Sequence, residues 1–408
     1  MVKPMEGVRV LEVAQYTFVP AAGAVLAEWG ADVIKVEHAE RGDAQRGIVK
    51  VFSQNIGDGS SFSPMMDGPN RGKRSIGLAL DKPESARVLR ELVLASDVFL
   101  TNFLPRARRK LGIEVDDIRA INPDIIYAAG VGFGHTGPEA DKGGYDATTY
   151  WARGGSADSA TPRDAEYVTQ QPIGAYGDNI GGMTIAGGIS AALFARERTG
   201  VATTVDISLL GVGAWAAQMN VNLALMSGGP LPKRTPKEMG SSNPLTGLYR
   251  TSDDRWLSLS MLQPGQYWAE FCQRLGRPDL VEDERFDSAE KLMSRAAEAS
   301  ELVAEAIARR TKDEWVAAFE GMAGQWAVVQ NTYEVGNDPA LHAIGQIADV
   351  VDAEGVTRQL VASPVQFDRE APRLERGPLF AEHTDEILRE IGLTDEELLD
   401  LKVAGAVT

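Results

Sequence analysis

The chain has 408 residues, of which 44% are hydrophobic and 24% charged, a composition typical of a globular protein long enough for two domains. Its formal net charge of -17 at pH 7 argues against nucleic acids and anionic membranes as partners, because both bind basic surfaces. The single cysteine, Cys272, excludes an internal disulfide, and four scattered histidines argue against a metal site. We find neither a signal-peptide core nor an apolar stretch that could span a bilayer, so we expect a cytoplasmic location.

Strand and helix patterns alternate over the first 130 residues. The predicted strands are 8–13, 32–36, 97–100 and 124–130. The predicted helices are 20–29, 83–95, 106–110 and 115–122. This alternation predicts an α/β fold with a parallel sheet that is covered on both faces. The first turn has no G-x-G-x-x-G motif, which argues against a dinucleotide site.

The pattern changes after the fourth strand. Residues 134–182 are rich in glycine, serine, threonine and aspartate, which predicts a long functional loop region. A helix is predicted at 205–226, with Trp215 and Met219 on its apolar face. A mobile loop with several prolines and glycines is predicted at 228–244.

The remaining residues predict a smaller α+β domain and a return to the first domain. The smaller domain is expected to contain a hairpin of 248–250 and 256–260, then helices at 266–275, 292–308 and 312–322. The tail after 345 has strand character and ends in helices at 384–391 and 395–402. We therefore expect a large α/β domain from 1–225 and 340–408, and linkers with the small domain at 226–339.

One carboxylate, that of Asp178, lies among glycines: Gly177 precedes it, and Gly181 and Gly182 follow. Glycines let the backbone turn tightly and let a ligand come close. The small apolar residues 183–195 predict a buried helix, which places Asp178 at or just before a helix N-terminus. The helix dipole there favours negative charge, so we expect an ionised carboxylate that can act as a nucleophile. The alternative is an ordinary helix-capping aspartate.

Short motifs along nearly the whole chain carry a family resemblance. They are, in chain order, the segment 30–37 with Arg41-Gly42-Asp43, Lys73-Arg74-Ser75-Ile76, Asn102-Phe103, Gly177-Asp178, the segment 338–341, Gly377-Pro378-Leu379 and the segment 382–388. In order and spacing they resemble the class III CoA-transferases, the family of formyl-CoA transferase, carnitine CoA-transferase and the bile-acid-inducible transferases. The resemblance implies a large Rossmann-like α/β domain built from both chain ends, a small middle domain and an interlocked homodimer.

The resemblance also implies the chemistry. Asp178 occupies the position of the catalytic aspartate, which attacks an acyl-CoA thioester to form a mixed anhydride and then an aspartyl-CoA thioester. An acceptor carboxylic acid takes the CoA by the reverse steps. No permanently bound cofactor is expected, since CoA and acyl-CoA are substrates. The candidates for binding the oxyanions are Gln15, Gly181, Gly182 and Gly240. For Gln15 the alternative is a strand-end residue that bonds to a loop.

Positions that contact CoA also follow from the resemblance. The candidates are Tyr16, Phe18, His38, Leu78, Asn102, Phe103, Arg108 and Lys110. His38 stands where some family members have an arginine. The basic cluster at 106–110 could bind the CoA phosphates, and we favour Arg108 and Lys110 for this role; the alternative for the cluster is a solvated helix face. Lys73 and Arg74 could also contribute to phosphate binding, but a basic pair before a strand is more often plain surface.

The related racemases use the same aspartate with a histidine partner, in a Gly-His-Asp motif. Here the motif is Gly144-Tyr145-Asp146, and a tyrosine with a pKa of about 10 is a poor base at neutral pH. This favours a transferase over an α-methylacyl-CoA racemase. Tyr145, Asp146 and Trp151 are candidates for the acyl pocket. The aromatic residues Trp151, Tyr150, Tyr176 and Trp215 lie in segments that could line this pocket, which suggests room for an acyl group larger than formyl or oxalyl; the alternative is that they belong to the core. A non-catalytic acyl-CoA-binding subunit is the alternative from another class.

Overall fold

The computed structural model describes residues 3–51, 54–55, 60–172, 174–235 and 242–408. Within these ranges the chain divides into two compact units. A large unit comprises residues up to Asp158 together with Thr169–Gly228 and Pro339–Thr408. A small unit comprises Ser159–Val168 and Gly229–Asp338.

The regular elements of both units have the following bounds. The strands are β1 Arg9–Val13, β2 Asp32–Glu37, β3 Lys50–Val51, β4 Gln54–Asn55, β5 Arg74–Gly77, β6 Val98–Thr101, β7 Ile126–Val131, β8 Thr204–Ser208, β9 Thr246–Arg250, β10 Trp256–Ser260, β11 Trp326–Val328, β12 Ile347–Val351 and β13 Thr357–Val361. The helices are α1 Phe18–Glu28, α2 Pro64–Asn70, α3 Ala86–Leu94, α4 Pro105–Leu111, α5 Val115–Ile121, α6 Ser156–Ser159, α7 Tyr176–Thr199, α8 Leu209–Ala216, α9 Gln218–Ser227, α10 Pro264–Leu275, α11 Asp279–Glu282, α12 Ala289–Ser294, α13 Ala296–Ile307, α14 Lys312–Ala318, α15 Thr332–Gly336, α16 Pro339–Ala343, α17 Thr384–Glu390 and α18 Asp395–Val403. Short 3-10 helices lie at Ala44–Gly47 and Pro83–Ser85, and a π-helical turn lies at Ala147–Arg153.

The large unit is built on a six-stranded sheet with the order β5-β2-β1-β6-β7-β8, which confirms the α/β prediction. Every neighbouring pair in it is parallel, as in the pairing of Val10 with Val33 on one side and Val98 on the other. The strand order reverses between β1 and β6. In doubly wound sheets of this kind, ligands bind outside the carboxyl ends of the strands at the reversal point. The residues that follow β1 and β6 are therefore the first place to look for a site.

Both faces of this sheet are buried, as parallel strands require. Helices α1 and α7 cover one face, where Val19 and Ile185 join strand residues such as Val98 in one core. Helix α3 covers the other face together with α17, whose Ile387 and Leu388 join the same core as Leu11. The two ends of the chain therefore share the core of the large unit.

The small unit has its own antiparallel sheet, in the order β11-β10-β9. The predicted hairpin is confirmed, because Trp256 pairs with Arg250 and Ser260 with Thr246. Its core contains large aromatic side chains, including Phe271 and Trp315, and the only cysteine of the chain. Burial raises the pKa of the Cys272 thiol to about 12, so this group is not a nucleophile at neutral pH.

The sequence predicts a helix at 205–226, and this prediction is wrong for the first residues of that range. Residues Thr204–Ser208 form β8, the last strand of the large sheet, and the helix starts only at Leu209. The Ser208 hydroxyl oxygen accepts a hydrogen bond from the Gly211 N–H and caps this helix, so no glycine or proline marks the change. Trp215 and Met219 are both exposed in the chain rather than packed on an apolar face.

Two further predictions need adjustment. The helix predicted at 292–308 is interrupted at Arg295, which separates α12 from α13. Within the loop predicted at 228–244, residues 236–241 lie outside the described residues. Among the described residues no single helix is long and apolar enough to cross a membrane, and the pair α8 and α9 meets that test only jointly, across a bend of 74°.

Candidate active site

Asp178 lies in the first turn of α7, which begins at Tyr176. The helix packs closely against α1 because Gly181 and Gly182 leave no side chain between them. A Cβ at Gly181 would lie 2.3 Å from Cε2 of Phe18, and one at Gly182 would lie 2.6 Å from the Cβ of Ala21. These two glycines therefore serve the packing of α7, which carries Asp178 in its first turn, against α1.

This placement corrects the prediction that Gly181 and Gly182 bind an oxyanion. Both lie beyond the first turn of α7, where the backbone N–H groups bond within the helix. The third glycine proposed for that role, Gly240, lies outside the described residues. The Phe18 ring is buried against Gly130 and Gly181, and Phe18 is not among the residues that line the cavity described below.

The Asp146 carboxylate caps the start of α7. The Gly177 N–H donates to both carboxylate oxygens of Asp146 at 3.1 Å. Gln171 donates its Nε2–H to Asp146 Oδ2 at 2.5 Å. Asp146 is only 6% exposed, so these hydrogen bonds, rather than water, satisfy its carboxylate oxygens. A carboxylate at a helix N-terminus neutralises the positive end of the dipole.

The environment of Asp178 favours its ionised form less than the helix N-terminus in the sequence indicates. Burial, followed by the negative charge of Asp146, raises the pKa of Asp178 to about 7. The anion site of the helix is already occupied by Asp146, so the dipole does not stabilise Asp178. The result is a poorly solvated carboxylate that exchanges its proton near neutral pH, and such perturbed groups cluster at functional sites.

The turn that leads into α7 is strained. Ala175 adopts φ of 63°, in the left-handed region that disfavours any residue with a Cβ. Strain of this kind concentrates at functional sites, where the surrounding structure fixes it. Here the Asp146 cap fixes the Gly177 N–H, two residues after Ala175, and so holds the turn in place.

Aromatic side chains surround the start of α7. The Tyr176 ring contacts those of Trp151 and Tyr150, with centroids 6.3 and 6.4 Å away, and Trp151 donates its Nε1–H to the Thr169 carbonyl at 2.9 Å. Two predicted acyl-pocket residues are therefore linked to the Asp178 segment: Trp151 through Tyr176, and Asp146 through its cap.

The exposed ring of Tyr145 meets Tyr16 edge to face, with centroids 5.7 Å apart. A hydrogen bond between the two phenols, together with burial, raises the pKa of Tyr16. Tyr16 belongs to the turn that follows β1, so this contact brings Tyr145 to the carboxyl end of the sheet.

A cavity of about 380 Å³ opens at the carboxyl ends of the sheet strands. It brings together five residues predicted from the sequence, which are Gln15, His38, Leu78, Phe103 and Lys110. Two charged residues also line it: Arg41, which was not among the predicted CoA contacts, and Asp81, which stands where the family resemblance leads us to expect a basic residue. Arg41 belongs to the Arg41-Gly42-Asp43 motif, which was the signal available for it. The His38 Nε2 lies 3.6 Å from Oδ1 of Asp81.

Two other predicted CoA contacts, Arg108 and Asn102, do not line this cavity. Arg108 is only 8% exposed, and its Nε lies 3.2 Å from Oε2 of Glu114. The cluster at 106–110 is helical, so only some of its side chains can face the cavity. Asn102 does not line the cavity and instead bonds the backbone of Gln15. Of the cluster, Lys110 is the cation that reaches the cavity.

The interpretation of Lys73 as surface is wrong. Its side chain is fully buried, and its Nζ donates to Oε2 and Oε1 of Glu12 at 2.7 and 2.9 Å. It also donates to the Pro20 carbonyl at 2.9 Å and to Asn70 Oδ1 at 3.0 Å. Lys73 therefore ties β5 to β1 and α1 beneath the site and is not available to a phosphate. Among the described residues no group of three or more His, Cys, Asp or Glu side chains could hold a metal ion.

Comparison with known proteins identifies the family. The family model described as CoA-transferase family III matches residues 5–384. The chain is 28% identical to (R)-2-hydroxy-4-methylpentanoate CoA-transferase of Clostridioides difficile, over 99% of each chain. It is 31% identical to succinate–glutarate CoA-transferase of Agrobacterium fabrum, over 95% of this chain and 96% of that one. A crystal structure of a CAIB/BAIF family protein from Brucella suis superimposes with a TM-score of 0.80 at 28% identity, covering 96% of this chain and 100% of the other. The chain is an enzyme that belongs to CoA-transferase family III.

Proposed function

We propose that this enzyme moves CoA from an acyl-CoA donor to a carboxylic acid through covalent intermediates on Asp178. The observation that carries the proposal is the state of the Asp178 carboxylate. It is half-buried and its pKa is raised to about 7. A carboxylate of this kind is less solvated than one in water and so is a better nucleophile toward a thioester.

The chemistry balances in four steps. An Asp178 oxygen attacks the thioester carbonyl, the C–S bond breaks, and a mixed anhydride forms with release of the CoA thiolate. The thiolate attacks the aspartyl carbonyl of the anhydride, which releases the donor acid and leaves an aspartyl-CoA thioester. The acceptor carboxylate attacks this thioester and releases the thiolate again. The thiolate then attacks the acceptor acyl carbonyl, which gives the new acyl-CoA and restores the Asp178 carboxylate.

The cavity at the reversal point of the sheet is the proposed CoA site. Arg41 and Lys110 supply positive charge there, which the phosphates of CoA require in a chain whose net charge is -17. Leu78 and Phe103 supply apolar lining. The Gln15 carboxamide is the proposed donor to the thioester oxygen and to the oxyanions that form from it.

The racemase alternative is less well supported. Its second acid–base group would be Tyr145, which stands where racemases have a histidine. The Tyr145 ring packs edge to face on the ring of Tyr16. A phenol is intrinsically a poorer general base than the imidazole that racemases use for removing an α-proton.

The proposal is tested by incubating the purified protein with a panel of acyl-CoAs and isotopically labelled carboxylic acids. The panel should include branched 2-hydroxy, aromatic and dicarboxylic acids. We expect labelled acyl-CoA to accumulate with at least one pair. Binding of acyl-CoA without any transfer would instead support the non-catalytic subunit.

The rate of transfer should depend on pH through Asp178. Because the nucleophile must be deprotonated and its pKa is about 7, kcat/KM is expected to fall about tenfold per pH unit below pH 6 and to level off above about pH 8. Asp146→Asn removes the negative charge that raises the pKa of Asp178, so the midpoint should move to lower pH. The measurement is the initial rate from about pH 5 to about pH 9. A flat profile would exclude Asp178 as the titrating nucleophile.

We also propose that the enzyme is a homodimer, as the family resemblance implies. Helix α9 has no buried residue in the chain, and its Met226 is 80% exposed. A second copy that covers this apolar helix would remove the exposed surface from water. Light scattering after size-exclusion chromatography should give twice the chain mass of 43.9 kDa. Met226→Glu should lower this mass, whereas Val403→Glu, at an equally exposed position on α18, should not.

A further inference from the structure

Asn102 holds both polar backbone groups of Gln15. Its Oδ1 accepts a hydrogen bond from the Gln15 N–H at 3.1 Å, and its Nδ2–H donates to the Gln15 carbonyl at 2.6 Å. Asn102 directly follows β6, and Gln15 lies just past the end of β1. These strands are neighbours at the reversal point of the sheet. One side-chain amide therefore fixes the position of Gln15 against the adjacent strand.

The next residue, Tyr16, is held in a strained conformation. Its φ is 65°, in the left-handed region that disfavours any residue with a Cβ. The Tyr16 N–H donates to Oδ1 of Asp43 at 3.1 Å, and Oδ2 of Asp43 lies 2.8 Å from the Nζ of Lys35. Lys35 also donates to the Ala14 carbonyl at 3.0 Å. Because the side chains of Lys35 and Asp43 are buried, water does not compete for these bonds.

The turn presents one side chain to the cavity, that of Gln15. Its carboxamide makes no hydrogen bond to the part of the chain that the structure describes. Its backbone, in contrast, is fixed from both directions, by Asn102 and by the held turn at Tyr16. A donor that is positioned in advance and still unused can stabilise developing negative charge without first rearranging.

We propose that Asn102 and Asp43 are positioning residues for CoA transfer, which hold the Gln15 carboxamide where it can donate to the thioester oxygen as this oxygen becomes an oxyanion. The inference rests on the proposed function. It gives Asn102 a role different from the CoA contact that the family resemblance implies. Neither residue touches the reacting atoms, and both act through the backbone of the turn.

The alternative is that the bonds only stabilise the fold. A turn beside a cavity could satisfy its polar groups with water, at little cost in free energy. Here the side chains of Asn102 and Asp43 bond the backbone of the consecutive residues Gln15 and Tyr16. They keep Tyr16 in a conformation that it would leave if these bonds were removed. Relaxation of Tyr16 would redirect Gln15, and a displacement of about 1 Å can cost a factor of about 10² in rate.

The test is a double-mutant cycle with Gln15→Ala and Asn102→Asp, measured on the full chain with whichever donor and acceptor pair the wild type uses. Asn102→Asp keeps the shape and loses the donor to the Gln15 carbonyl. We expect kcat to fall about tenfold to a hundredfold, with KM for acyl-CoA nearly unchanged. In the Gln15→Ala background the same substitution should have no further effect on kcat, because the group that it positions is gone.

A matched control is Asn122→Asp, since the Asn122 Nδ2 also bonds carbonyl groups, those of Val93 and Ser96, away from the cavity. This control should leave kcat unchanged. Asn102→Ser, which adds no charge, provides a second variant if Asn102→Asp does not fold. An equal loss of kcat with and without the Gln15 side chain would overturn the inference while leaving the proposed function intact. Absence of transfer in the wild type would overturn both.

Discussion

Asp178→Asn is expected to lower the rate of CoA transfer by a factor of about 10⁴ or more, because it removes the nucleophile and no other described carboxylate can replace it. The nearest candidate, Asp146, has its oxygens bonded to the backbone at the start of α7. Binding of acyl-CoA, measured by calorimetry, should be retained because the proposed CoA cavity does not include Asp178. Exchange at the wild-type rate in this variant would refute the proposed mechanism.

The same variant has a built-in control for folding. The pKa of Asp178 is about 7 in the folded chain and about 3.9 when unfolded, so the folded state favours the protonated form. The stability that this provides is full below about pH 4 and is lost as the pH rises through about 7. Asparagine carries no charge and avoids this loss. At pH 8, Asp178→Asn should therefore be more stable than the wild type by about 2–4 kcal/mol, as measured by urea unfolding.

The matched control for both readouts is Asp116→Asn. Asp116 also lies in the first turn of a helix, α5, but on the exposed surface. The substitution is chemically identical and should change neither the transfer rate nor the stability appreciably. An inactive but destabilised Asp178→Asn would contradict the account, because burial of this charge is expected to cost stability.

Lys73→Met is expected to destabilise the large unit by about 3–5 kcal/mol, the typical result of removing one partner from a buried ion pair. The Lys73 Nζ is 2.7 Å from Oε2 of Glu12, and neither side chain is exposed. Without Lys73, the Glu12 carboxylate keeps only Lys35, whose Nζ is 3.3 Å from Oε1. Methionine fills a similar volume, so the loss reports on the ammonium group and its bonds to Glu12, Pro20 and Asn70 rather than on a cavity.

Urea unfolding of Lys73→Met should be compared with that of Lys402→Met. The Lys402 Nζ lies at the same distance, 2.7 Å, from Oδ1 of Asp385, but both side chains are partly exposed. Such surface pairs contribute about 0.2–1 kcal/mol. Equal losses for the two variants would show that Glu12 is solvated in the absence of Lys73, contrary to its burial in the structure.

Much of the sheet follows from the sequence because its signals are local. Apolar runs alternate with helical periods in the first 130 residues, and this pattern predicts β1, β2, β6 and β7. It does not predict β5 or the two short strands β3 and β4. The strand β8 was missed because Ser208 caps the next helix without a glycine or proline between them. The prediction therefore failed because the boundary between β8 and α8 is marked by a serine cap rather than by a glycine or proline.

Site residues were predictable only where the neighbouring residues in the sequence mark them. The glycines around Asp178 mark its position in the sequence, but its pKa depends on burial and on Asp146, which lies 31 residues before Gly177, from whose backbone N–H it accepts a hydrogen bond. The burial of Lys73 depends in the same way on Glu12, 61 residues away. No pattern in a single sequence links partners at such distances. The fold brings them together, and with them the charges that decide how each one behaves.

The most direct test of the central claim is mass spectrometry of the wild-type protein after incubation with a reactive acyl-CoA and a quench with hydroxylamine or borohydride. We expect a modification that maps to Asp178, as a hydroxamate or as the reduced alcohol, and that is absent in Asp178→Asn. An unmodified Asp178, together with deuterium uptake at the α-carbon of a 2-methylacyl-CoA, would contradict this claim and would show that the enzyme is a racemase.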